Sequence, residues 1–87
     1  SAQCELIEAM ASVGEYDQAK NYLNDETSKM KPYYKSDAQC AIIKAMASVG
    51  KYDKAKEYLN SDETLKMEPS DKSLAHCEII KALASAR

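Results

Sequence analysis

The apolar positions of this chain fall into stripes of helical spacing, and the stripes recur. Leu6, Met10 and Val13 lie four and three residues apart, with Gln3 and Ile7 beside them on one arc, while Glu5, Glu8 and Ser12 fall on the opposite side. That spacing predicts an α-helix and not the alternation of a half-buried strand. Tyr16, Ala19 and Leu23 make a second stripe, repeated by Tyr52, Ala55 and Leu59, and predict a second helix. Gly14 and Gly50, the only glycines, each follow the last apolar residue of a first helix, where a left-handed residue ends it. A turn this short folds each pair of helices into an antiparallel hairpin.

The segment from Ala2 to Asp17 returns from Ala38 to Asp53, and its first part returns again from Ala75 to Ser85. The equivalent cysteines Cys4, Cys40 and Cys77 set steps of 40−4 = 36 and 77−40 = 37 residues. Self-similarity at this period predicts stacked supersecondary units. The expected fold is all-α, a right-handed α-solenoid of helix-turn-helix repeats in one domain. Repeat 1 covers 1–36, repeat 2 covers 37–73 and a half repeat covers 74–87, giving two hairpins plus a C-terminal capping helix, five helices in all.

The second copy carries one extra residue near Ser61. Inside a continuous helix that insertion would swing Met67 about 100° from the face that Met30 holds. The second helices are therefore expected to end near Asn24 and Asn60, with a short helical turn from Asp25 or Asp62. Pro32 and Pro69 are read as breaking the chain into an extended link, with Ser36-Asp37 as the N-cap of the following helix and Leu74 opening the last one.

Gly14-Glu15-Tyr16-Asp17-Gln18-Ala19 with Tyr22-Leu23, and Gly50-Lys51-Tyr52-Asp53-Lys54-Ala55 with Tyr58-Leu59, resemble the turn and second helix of tetratricopeptide repeats. Leu6-Ile7-Glu8-Ala9-Met10, with Gly14 eight residues after Leu6, resembles the first helix of the pentatricopeptide pattern. The chain departs from both: Gln3 and Gln39 stand where a tetratricopeptide carries a large aromatic, and no glycine precedes Pro32 or Pro69. The resemblance covers nearly the whole chain as pattern and implies a hairpin repeat of this superfamily. The first two copies differ mainly at polar positions, among them Glu8/Lys44 and Glu15/Lys51, as a recent duplication or a constructed repeat protein would.

Charge and chemistry narrow the function. Twelve basic and fourteen acidic side chains leave 12−14 = −2, with no basic field for nucleic acid. The longest apolar run is a few residues, too short to span a membrane, and no charged leader precedes the repeats. The three cysteines are odd in number and a whole repeat apart, beyond disulfide reach, which fits a cytoplasmic or other reducing intracellular compartment. The single histidine, His76, diverges by about 100° from its neighbour Cys77, so the two do not form a nucleophilic pair. No metal-ligand spacing and no phosphate loop is present, and no cofactor is expected. The chain is read as a non-enzyme.

The repeat pattern of the tetratricopeptides implies a concave groove lined by Cys4, Glu8, Ala11 and Ser12, then Cys40, Lys44, Ala47 and Ser48, then Cys77, Lys81, Ala84 and Ser85. The cysteines have a second reading, as small residues packed beside the next repeat. The expected function is a scaffold that holds a protein or peptide ligand in this groove. Two alternatives stand beside it. Pentatricopeptide-like binding of single-stranded RNA would put the base-reading position on Glu5, Ala41 and Glu78, where carboxylates repel phosphate. A designed or amplified repeat protein would have no evolved ligand. Weak end-to-end self-association is also expected, because the first and last helices each lack a neighbour.

Overall fold

A computed structural model describes residues 1–86; Arg87, included above in the last helix, lies outside the described residues. Among the described residues the chain forms five α-helices and no strand. They are α1 (Ala2–Ser12), α2 (Tyr16–Asn24), α3 (Pro32–Ser48), α4 (Tyr52–Leu59) and α5 (Pro69–Ser85), with single 3₁₀ turns at Glu26–Ser28 and Asp62–Thr64.

The glycine turns follow from backbone geometry. Gly14 and Gly50 both have φ of +85°. In the first turn the Gly14 N–H donates to Ala11 O at 3.0 Å and the Glu15 N–H to Met10 O at 3.0 Å. Gly50 and Lys51 donate in the same way to Ala47 O and Met46 O, at 3.0 and 2.9 Å. This is the Schellman arrangement, which returns two otherwise unpaired carbonyls of a helix end to hydrogen bonding. It positions α2 against α1 and α4 against α3.

The links differ from the sequence expectation in one respect. Pro32 and Pro69 do not break the chain into an extended segment; each is the first residue of a seventeen-residue helix. The first helical position needs no N–H and suits the fixed φ of proline, so proline starts a helix there. The extended residues are the ones before, Lys31 (ψ 149°) and Glu68 (ψ 141°), as the steric demand of a following proline requires. Leu74 accordingly lies well inside α5, not at its start. Ser36 likewise caps no helix of its own. It is buried within α3, where its hydroxyl accepts the Glu68 N–H at 2.8 Å and donates to the carboxylate of Asp71. It thus secures the start of the next first helix.

The extra residue, Ser61, lies in the second link, and both links return a methionine, Met30 and Met67, to the buried interior. They do so by different bonding. Asp25 accepts the Thr27 N–H and hydroxyl at 2.9 and 2.8 Å, two bonds that hold its carboxyl below the usual range, and Lys29 turns left-handed. In the second link the equivalent threonine, Thr64, is buried instead. Its hydroxyl lies 2.7 Å from Leu59 O, at the C-terminal end of α4, and 3.0 Å from Tyr58 O, which also accepts the Ser61 N–H and hydroxyl.

The interior lies mainly between the first helices: α3 packs against both α1 and α5. The buried stripe of α1 is Cys4, Ile7 and Ala11, whereas Leu6 and Val13, assigned to the apolar arc from sequence, are exposed. α3, covered on two sides, buries Ala38, Cys40, Ile42, Ile43, Met46 and Ala47. Gln3 and Gln39, standing where an aromatic was the alternative, donate their side-chain amides to link carbonyls, Gln39 to Glu63 O at 2.8 Å.

Two stability outcomes follow. A Cβ built on Gly50 meets nothing within 4 Å, so Gly50→Val acts through φ alone and should cost about 1–2 kcal/mol in chemical denaturation, with Gly50→Asn costing less. Thr64→Val should cost about 1–3 kcal/mol by leaving Leu59 O at the end of α4 short of its donor. The equivalent exposed change, Thr27→Val, should stay within about 0.5 kcal/mol. Equal losses at the two threonines would contradict the assigned bonding.

Candidate functional site

Side chains at three equivalent positions emerge from α1, α3 and α5 onto one surface. Glu8, Ser12, Lys44 and Ser48 line a cavity of about 440 Å³ between α1 and α3. Lys44, Ser48, Lys81 and Ser85 line the adjoining one, of about 380 Å³, between α3 and α5. Lys44 and Ser48 are common to both, so the two cavities lie on either side of the same two side chains. All six side chains are exposed. The geometry therefore brings together six of the twelve groove residues expected from sequence.

The other six are the cysteines and the alanines, of which Ala11 and Ala47 are buried. Cys4 and Cys40 are buried. The correction has a simple geometric cause. A residue four places on is rotated by about 40° around a helix, so the line Cys4–Glu8–Ser12 drifts around the cylinder. Its cysteine end lies on the face that the next first helix covers. There the Cys4 thiol donates to Tyr34 O at 3.4 Å. The Cys40 thiol is pushed up to about 11, first by burial and then by the carboxylates of Asp71, Asp37 and Glu78. A thiol so protonated is a packing group, not a nucleophile. Cys77, at the same repeat position, is exposed, with no described helix following α5.

The hydroxyls of the groove are oriented by their own helices. Ser12 donates to Ala9 O and Ser48 to Ala45 O, each at 2.8 Å, so their oxygen lone pairs are the part left to meet a ligand. The charges alternate. Glu8 shares the first cavity with Lys44, and Glu78 shares the second with Lys44 and Lys81. Lys81 Nζ lies 3.8 Å from Glu78 Oε1, but the lysine is largely in solvent, and such a pair holds it only weakly. Two ammonium groups one repeat apart are thus free to turn to a bound carboxylate.

Glu78 and Tyr52 were not among the expected groove residues. Tyr52, whose hydroxyl is 3.4 Å from Ala82 O, closes the side of the second cavity from α4. Its repeat position was read as packing, and the fact that it is only half-buried is a tertiary outcome. A separate cavity of about 390 Å³ lies between α2 and α4, with Lys20 Nζ 4.5 Å over the ring of Tyr58. The buried Tyr58 hydroxyl has no hydrogen-bond partner among the described residues, and burial, then the Glu63 carboxylate, raise its phenol well above the usual range. Among the described residues no three His, Cys, Asp or Glu side chains gather as metal ligands, and no helix is long and apolar enough to cross a membrane.

No protein-family model, no curated protein and no solved structure matches the chain.

The three thiols should react very differently. With a chromogenic disulfide reagent the native protein should release about one thiol equivalent quickly, from Cys77, and the other two only on unfolding. The sign for pH follows from the raised Cys40 value. Its contribution to stability is complete below pH 9.0, the ordinary thiol value, and is lost as pH climbs through about 11. Fast reaction of all three thiols at neutral pH would contradict the burial of Cys4 and Cys40.

Proposed function

We infer that this chain is a non-enzymatic helical-repeat scaffold that holds an extended peptide in the groove crossing α1, α3 and α5. On this reading the hairpins stack as a right-handed solenoid of tetratricopeptide-like units, and the first helices present the inner wall. The observation that carries it is a pair of adjoining cavities lined by the same two side-chain positions of three successive first helices: Glu8 and Ser12, Lys44 and Ser48, Lys81 and Ser85. An extended chain presents groups at a regular interval, and a surface repeated at the helix-packing interval suits such a ligand. The two lysines favour a peptide with acidic side chains. Glu8 and Glu78 limit the attraction and disfavour a polyphosphate backbone.

Isotope-edited spectra of the whole chain, titrated with a library of acidic peptides, test the reading. The expected shifts fall on residues 8–12, 44–48 and 81–85. Lys44→Glu should weaken binding at least tenfold with the fold unchanged. Shifts confined to the α2–α4 side, or binding to single-stranded RNA in place of peptide, would overturn it.

A further inference from the structure

The first helices carry two apolar faces of different identity. One is Ala2 and Leu6 in α1, Ala38 and Ile42 in α3, and Ala75 and Ile79 in α5. The other is Cys4, Ile7 and Ala11 in α1, Cys40, Ile43 and Ala47 in α3, and Cys77, Ile80 and Ala84 in α5. Exposure along the equivalent positions makes the directionality plain. Leu6, Ile42 and Ile79 are 43, 0 and 4% exposed, whereas Ile7, Ile43 and Ile80 are 0, 0 and 64% exposed. Each face is buried wherever it has its complement and open where it does not.

We propose that the exposed face of α5, Cys77, Ile80 and Ala84, is a docking surface for α1 of a second copy of this chain, which offers Ala2 and Leu6. The argument for this occupant is continuity with the two internal junctions, α1 on α3 and α3 on α5, which already join these two kinds of face. Leu83, also partly exposed, continues the open face of α5. The flanking charges agree. Glu8 and Lys44 face one cavity across the first internal junction, and Lys44 and Glu78 face the other across the second. At the new junction Lys81 takes the place of Glu8, and Glu8 of the second copy takes the place of Lys44, again opposite charges. Glu5 of the second copy, the equivalent of Glu78, would likewise meet Lys81, which stands where Lys44 does. These contacts lie at a water-exposed rim, so they add little, and Glu5→Ala should weaken association slightly. The contact is heterologous, so it propagates and does not close at two copies. The inference rests on the stacked reading of the hairpins and not on the peptide groove.

Sedimentation velocity on the whole chain, from micromolar to millimolar, tests it. The weight-average sedimentation coefficient should climb with concentration without levelling at the dimer value, and the reaction rate of Cys77 should fall in parallel. Ile80→Lys and Leu6→Lys change side chains already in solvent, and helicity measured by circular dichroism checks that each still folds. Either variant alone should remain monomeric at millimolar concentration, because every junction needs one α5 face and one α1 face and each variant has one of the two blocked on every copy. An equimolar mixture restores one intact junction, Ile80 of the Leu6→Lys chain against Leu6 of the Ile80→Lys chain, and should form one-to-one dimers and stop there. Ser48→Arg, which fills the groove, should leave association intact, so failure of this contact and failure of peptide binding are distinguishable. A wild-type chain that stays monomeric to millimolar overturns the proposal. So does a Leu6→Lys chain that dimerises alone, which would mean that two α5 faces meet, and so does a mixture that fails to pair.

Discussion

Everything in this protein depends on the burial of α3 between α1 and α5. No helix here is long or apolar enough to hold its shape alone, and short isolated helices are marginal in water. Ile42 faces one neighbour and Ile43 the other, and both are fully removed from solvent. Each such side chain contributes about 1.5–3 kcal/mol on burial. A helix that is apolar on two sides is stable only with a partner on each, and the flanking helices supply them.

The turns and links serve that packing. The Schellman turns bring α2 and α4 back along α1 and α3. The links then carry the chain to the start of the next first helix. Their lengths differ by one residue, and the difference is taken up in hydrogen bonding: Asp25 serves a surface turn in one, while Thr64 reaches into the protein to the end of α4 in the other. Loops absorb length changes at little cost in closure entropy, so the interior positions of Met30 and Met67 are kept. Ser36 shows how tightly one repeat is tied to the next, because its hydroxyl serves the first turn of α5 and not its own helix.

The same packing produces the site. Aligning equivalent helices side by side aligns equivalent side chains, so a serine and a charged residue that are ordinary surface groups on one helix become a row across three. The row lies next to the packed face, about 40° around the helix. Its inner members, Cys4 and Cys40, are sealed by the neighbouring helix, and its outer members remain in water.

Much of this was legible in the sequence. The repeat, the five helices, the glycine turns, the ends of α2 and α4 and the placing of Ser61 in a link all follow from periodicity and from the conformational limits of glycine, which act locally. The starts of α3 and α5 were misplaced because proline is equally at home after one helix and at the head of another, and only the extended residues before it decide. That Glu8, Ser12, Lys44, Ser48, Lys81 and Ser85 share one surface was legible because equivalent positions point the same way on equivalent helices. The burial of Cys4 and Cys40, the exposure of Leu6 and Ile80, and the pairing of Ser36 with Glu68 were not. Identical residues in identical repeats have identical local physics. Only the neighbour that the tertiary structure provides, or leaves out, makes one isoleucine core and its equivalent surface.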